Sequence, residues 1–125
     1  MVDDEKFLLE IYKTYFEKDG YEVALFHDVD SALKALRDGY EPDAMLFDIT
    51  MPDSRSGYEF IEAVKRESLG RHALKVALTN EGQDGAVARM MELGADGHIL
   101  KASTLPAEIS VKVGEMLKAK KKSWF

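Results

Sequence analysis

The sequence predicts an α/β domain built on a parallel, doubly wound sheet with helices on both faces. Two observations carry that expectation. Short, largely apolar runs at residues 44–47, 74–78 and 97–100 read as strands buried on both sides. Segments with apolar residues at helical spacing alternate with them, the pattern of strand–helix–strand units joined by right-handed crossovers.

At the start, only Met1 and Val2 precede the acidic pair Asp3 and Asp4, where about five residues are usual, so either the expected first strand is truncated and its neighbours adapt, or residues ahead of it have been lost, or another chain fills the slot. Phe7, Leu8, Ile11, Tyr12 and Tyr15 recur at helical spacing within residues 5–18, and Asp19 and Gly20 supply the stop. Residues 22–26 are rich in β-formers, and the Asp and Ser residues of 27–31 offer N-caps for a helix at 32–37. Residues 39–42 break the pattern before the strand that ends at Asp48. A loop containing Met51 and Pro52 leads to a helix over 58–66. The next strand ends at Thr79, a helix covers 84–92, and the last strand ends at Lys101. The final helix starts near Ser103 or Thr104, with Pro106 in its first turn and Ile109, Val113, Met116 and Leu117 facing inward.

Composition bounds the function. A chain of 125 residues accommodates one buried core, so whatever the domain does is done by a single unit. The formal net charge of −6, with no basic stripe through the body, argues against direct nucleic-acid binding. The absence of cysteine excludes a thiolate metal site and a disulfide framework. No apolar run approaches the roughly 20 residues that cross a bilayer, and no secretory signal pattern opens the chain, so a cytoplasmic location is expected.

In a doubly wound sheet, ligands bind where loops leave the carboxyl ends of the strands. Those positions hold Asp3 and Asp4, Asp48, Thr79 and Lys101. Three carboxylates brought together repel one another, which is relieved by protonating one or by recruiting a cation. Hard oxygen ligands favour Mg²⁺, which binds through one or two carboxylates and a phosphate oxygen. A carboxylate beside Mg²⁺, with a hydroxyl and an ammonium at hand, can attack phosphorus because every developing charge has a partner. Asp48 ends a central strand just before a loop and is the expected nucleophile, with Thr79 and Lys101 facing phosphoryl oxygens and Asp3 and Asp4 as metal-site acids. Taken singly, these residues have plainer readings: an acidic pair is usually solvated or caps a helix, and Thr79 and Lys101 could be a cap and a surface cation.

The segments Val2-Asp3-Asp4-Glu5, Leu46-Phe47-Asp48-Ile49-Thr50-Met51-Pro52, Leu78-Thr79 and Ile99-Leu100-Lys101, in this order and spacing, resemble those of response-regulator receiver domains over essentially the whole chain. The resemblance implies a flavodoxin-like, five-stranded sheet of order 2-1-3-4-5. It implies phosphoryl transfer to Asp48 from a histidine kinase or phosphotransfer protein, with Mg²⁺ held by Asp4, Asp48 and the carbonyl of Thr50, and Asp3 acting through water. Thr79 then swings toward the phosphoryl group while the residue at the aromatic switch position turns inward. That motion remodels the face of the fourth helix, fifth strand and fifth helix, where a downstream protein binds. Such a domain phosphorylates and dephosphorylates itself rather than acting as an enzyme on a separate substrate. The receiver is expected over residues 1–117, followed by a basic and aromatic tail at 118–125, whose Trp124 and Phe125 pack on the domain or touch another chain.

Several positions depart from the family pattern. His98 stands at the aromatic switch, so coupling becomes open to titration. Ala102 replaces the proline that usually follows the lysine in a cis peptide, which implies either strain or a trans bond. The loop between Pro52 and Gly57 is longer by one residue, which alters the rim where a kinase docks; Asn80 follows Thr79 where a small residue is usual and crowds the phosphoryl site, so slow phosphoryl exchange is expected. Truncation of the first strand is expected to lower stability and to favour homodimers or strand swapping. Two other readings compete. A receiver-like interaction module would act without phosphorylation. An aspartate-nucleophile phosphatase would need a second acid two residues after Asp48, where Thr50 stands.

Overall fold

A computed structural model of the chain describes residues 1–51, 55–80 and 84–123. Its elements are α1 (Lys6–Lys18), α2 (Val29–Arg37), β1 (Ala44–Asp48), α3 (Gly57–Arg66), β2 (Leu74–Thr79), α4 (Asp84–Glu92), β3 (Gly97–Leu100) and α5 (Pro106–Ser123). The three strands form a parallel sheet in the order β1-β2-β3, with Phe47 opposite Ala77 and Ala77 opposite His98.

Alternation along the strands explains why both faces are covered. Leu46, Leu74, Val76, Leu78 and Ile99 point to one side, where Tyr12 and Phe16 of α1 and Ile109 and Val113 of α5 meet them. Met45, Phe47 and Ala77 point to the other, against Leu33 of α2, Phe60 and Ile61 of α3 and Met90 of α4. β1 and β2 are therefore buried on both faces, as their continuous apolar sequences require, whereas β3 buries Ile99 on one face and leaves His98 and Leu100 exposed on the other, so the expectation of burial on both sides fails for residues 97–100.

Local signals set the helix ends. Asp28 caps α2 by accepting from the Ser31 N–H at 2.7 Å, and Ser56 caps α3 by accepting from the Glu59 N–H at 3.3 Å. Gly20, at φ 91°, closes α1 in the left-handed region, which lets the Tyr21 N–H reach the Phe16 carbonyl at 3.1 Å. The last helix begins at Pro106, two or three residues later than expected. Proline is favoured at the first helical position, and the Leu105 carbonyl accepts from Glu108 at 2.9 Å. α5 then continues through residue 117 to Ser123, where Lys120 pairs with Asp96 at 3.1 Å, so no break in secondary structure marks the start of the expected tail; Trp124 and Phe125 lie outside the described residues. Pro52, Asp53 and Ser54 of the lengthened loop lie outside them too.

The expected 2-1-3-4-5 order is realised in a reduced form. Val2 makes parallel bridges to both Phe26 and Phe47, which places it between residue 26 and β1. The Val2 N–H donates to the Leu46 carbonyl at 2.8 Å, and the Asp48 N–H donates to the Val2 carbonyl at 3.0 Å. On the other side the Phe26 N–H donates to the Met1 carbonyl at 2.8 Å and the Asp3 N–H to the Phe26 carbonyl at 3.1 Å. Among the described residues regular pairing thus involves three strands, and the expected outer strand and the central strand beside it are reduced to the bridged residues Phe26 and Val2. Residues 22–25 have β-forming side chains, but strand pairing needs a neighbour's backbone and Met1 and Val2 reach only their end. Among the described residues there is no cis peptide, so the bond after Lys101 is trans, and no helix is long and apolar enough to cross a membrane.

Gly57 fixes the approach of α3 to the end of β1. A Cβ at this position would lie 2.3 Å from the Asp48 carbonyl oxygen and 2.8 Å from the Ile49 Cα. Gly57→Ala should therefore destabilise the domain by about 2 kcal/mol through overpacking against backbone, measured by urea unfolding. Gly85→Ala, whose added carbon meets no atom within 4 Å, is the matched control and should not destabilise. Equal stability of Gly57→Ala and wild type would contradict the packing described.

Candidate functional site at the carboxyl ends of the strands

A parallel sheet delivers all its carboxyl ends to one edge, and four of the expected residues meet there as a charged cluster. Asp3 follows the Val2 bridge, Asp48 closes β1, and Lys101 follows β3. The Lys101 Nζ donates to Asp3 Oδ2 at 3.0 Å and to Asp48 Oδ2 at 3.2 Å. Asp3, Asp4 and Asp48 each offer a carboxylate oxygen within 4.8 Å of the others. Asp3 and Asp48 are buried, with 0% and 4% exposure, whereas Asp4 is half-buried.

Backbone donors complete the arrangement. The Glu5 N–H donates to Asp3 Oδ1 at 3.0 Å, and the Thr50 N–H donates to Asp48 Oδ1 at 3.2 Å. Both acids are thus oriented by the residue two positions on, the local turn bond that aspartate favours. Thr79 ends β2 and is fully buried; its hydroxyl donates to the Ile99 carbonyl at 3.4 Å, and its own carbonyl accepts from the Lys101 N–H at 2.8 Å. His98 lies on β3 with its side chain exposed, so it points outward. Thr50 and Asn80 are exposed beside the cluster in sequence.

Electrostatics follow from burial. Loss of water pushes the Asp48 carboxyl up to about 6, with Lys101 opposing and Asp3 adding to the rise. Burial alone would lower the Lys101 ammonium, but the charges of Asp48 and Asp3 outweigh it and raise it. Two residues given no role by sequence reasoning belong here. Glu5 Oε2 lies 3.7 Å from Lys101 Nζ, and its place next to the acidic pair was the available signal. Tyr12, on the inward face of α1, has its phenol raised by burial, with Lys101 acting the other way; its hydroxyl at an apolar position was the clue.

The fold and this edge define a receiver: a doubly wound domain with an acidic trio and a lysine at its strand ends. The chain belongs to the response regulator receiver domain family, whose model matches residues 1–111. It is 32% identical over 118 residues to the phosphate regulon transcriptional regulatory protein PhoB of Escherichia coli, covering 94% of this chain and 50% of that protein. It is 31% identical over 122 residues to the response regulator SaeR of Staphylococcus aureus, covering 98% of this chain and 51% of that one. The chain therefore spans about half the length of these curated relatives. Among solved structures it is similar to a CheY-like receiver domain protein from Methanospirillum hungatei, at 28% identity, TM-score 0.82, and 98% and 94% coverage of the two chains. The receiver domain of NtrX from Brucella abortus matches at 25% identity and TM-score 0.80, covering 93% of each. Receivers of this family bind Mg²⁺ at an acidic pocket, and the donor set here, three clustered carboxylates of which one is half-buried, suits that hard ion.

Two outcomes test the cluster. Because folded Asp48 holds its proton to higher pH than the ordinary 3.8, its contribution to stability is present at low pH and is lost as pH rises toward about 6. Carboxyl NMR of the metal-free protein should show Asp48 titrating near 6; an ordinary midpoint would contradict the burial argument. Lys101→Met leaves two buried carboxylates without their cation and should cost about 3 kcal/mol at neutral pH, read by urea unfolding and largely recovered by Mg²⁺.

Proposed function

We propose that Asp48 is the phosphoacceptor of this receiver and that the neighbouring residues divide the work of stabilising the transferred group. The observation that carries this reading is the buried Asp48 carboxylate at the end of β1, joined to Lys101 at 3.2 Å and clustered with Asp3 and Asp4. An Asp48 oxygen attacks the phosphorus of a phosphohistidine; the P–N bond breaks, the P–O bond forms, and the histidine nitrogen departs with its electron pair. Lys101 keeps Asp48 ionised before attack and faces a phosphoryl oxygen afterwards. Thr79 exchanges its long bond to the Ile99 carbonyl for a second phosphoryl oxygen. Asp4, Asp48 and the Thr50 carbonyl would hold Mg²⁺, with Asp3 acting through water, and the bound ion supplies the charge that offsets the carboxylates and the incoming phosphoryl group.

Receivers of this family interact with histidine kinases and with downstream effectors. For this chain the docking surface we propose for the effector, or for a homodimer, is the α4-β3-α5 face, on which His98 is exposed. A rotation of His98 accompanying the Thr79 movement would shift the population between two conformations of that face. The domain carries no separate substrate: phosphorylation and its reversal occur on Asp48 itself. The basic stretch after residue 117 is assigned to the end of the domain rather than to its signalling core, and a cytoplasmic setting fits this role.

Incubation with acetyl phosphate and Mg²⁺, followed by intact mass measurement, should add one phosphate to the wild type and none to Asp48→Asn. No gain in either protein would overturn the acceptor assignment and would favour a module that signals by binding alone.

A further inference from the structure

At the other end of the sheet from the acidic cluster opens a cleft of about 520 Å³ that none of the chemistry above uses. Three segments line it: residues 41–43 ahead of β1, the turn 68–73 that leads into β2, and the last turns of α5. The length of β1, about 15 Å at about 3.3 Å per residue, separates it from Asp48. Its charges are divided by segment: Glu41 and Asp43 come from the first, Arg71 from the second and Lys121 from the third. Among the described residues none of these four forms an ion pair. Pro42, Ala73 and Leu117 give the cleft an apolar lining.

The segments that carry the cations are fixed by bonds that leave Arg71 and Lys121 unused. The Lys75 Nζ donates to the Gly70 and Ala73 carbonyls at 3.0 and 3.1 Å, which holds the turn that presents Arg71. Asp96 accepts from the Lys75 N–H at 2.8 Å and from the Lys120 Nζ at 3.1 Å, which ties the end of α5 to the same strand residue. At the lip, Ser68 follows α3 at φ 55°, the one non-glycine residue at positive φ among the described residues. The Leu69 N–H reaches the Val64 carbonyl there at 2.9 Å, a helix closure for which glycine is the unstrained choice. Serine keeps the strain and brings a hydroxyl to the cleft.

We propose that this cleft binds a small organic phosphate that also carries an N–H donor, the chemistry of a mononucleotide with an amino group on its base. Two cations from separate segments and one hydroxyl suit the three oxygens of a phosphate monoester, of which a carboxylate has only two. Arg71 contributes a planar fork and Lys121 a point charge. A ligand that is anionic throughout would be repelled by Glu41 and Asp43, so the end that meets them must donate hydrogen bonds instead. Between the two ends, Pro42 and Leu117 offer an apolar surface to a flat body, and the volume lies within the roughly 300–1,000 Å³ usual for such ligands.

The test is an NMR titration of the whole chain, without Mg²⁺, with adenosine monophosphate, adenosine, ribose 5-phosphate and inorganic phosphate in turn. Adenosine monophosphate should give saturable shifts at Gly70, Arg71 and Lys121 with a Kd on the order of 0.1–1 mM, and the three fragments should bind about tenfold more weakly or less. Arg71→Gln combined with Lys121→Gln, both exposed positions, should leave Tm unchanged and weaken adenosine monophosphate about tenfold or more. Glu41→Gln combined with Asp43→Asn should reduce the preference for adenosine monophosphate over ribose 5-phosphate. No saturable shift, or shifts centred on Asp48 and Lys101, would overturn the proposal. So would equal affinity for the nucleotide and inorganic phosphate, because charge alone would then account for binding. None of these readouts needs phosphorylation, so they stand or fall apart from the assignment of Asp48.

Discussion

Asp3 and Asp48 share a buried pocket because one ammonium, that of Lys101, bonds to both at 3.0 and 3.2 Å. Two carboxylates removed from water repel each other and each loses hydration, so without a cation one of them would keep its proton. The position of that cation is not set by its own flexible side chain alone. The Lys101 N–H is tied to the Thr79 carbonyl at 2.8 Å, so the ammonium inherits its place from the register of β2 and β3. The chemistry of the edge therefore depends on strand pairing several residues away.

The same dependence holds on the acid side. Asp48 is reached from β1, which is paired with β2 along its whole length and buried on both faces. Asp3 is reached from a single bridged residue, held by four backbone hydrogen bonds shared between Phe26 and β1. One wall of the site rests on a regular sheet, and the other on the shortest pairing a sheet can have. That contrast places the least reinforced part of the domain beside its most charged part.

Much of this was legible because burial, on both faces for β1 and β2 and on one face for β3, leaves a strong trace in sequence. Residues 44–48, 74–79 and 97–100 read as apolar runs closed by Asp48, Thr79 and Lys101, and the structure places strands there. Long-range features left no such trace. The contact of Glu5 with Lys101 and the coupling of Tyr12 to the cluster join residues that only the fold brings together. Residues 22–26 have the composition of a strand yet pair only at Phe26, since β-propensity describes the fit to a neighbour and the neighbour here is short. The late start of α5 was open to local reasoning: Pro106 is suited to the first helical position, and that preference outweighed the polar cap candidates before it.

The contact between Gly57 and the end of β1 has a further consequence for the segment it closes. The Gly57 N–H donates to the Ile49 carbonyl at 2.9 Å, and its bare Cα lets α3 sit directly on the Asp48 backbone. Both anchors of the intervening loop are thereby pinned, much as the two posts of a gate are set before the gate is hung. One additional residue between them adds only about 0.1 kcal/mol of closure entropy. Length and composition there can drift while the acid at residue 48 stays where the sheet has put it.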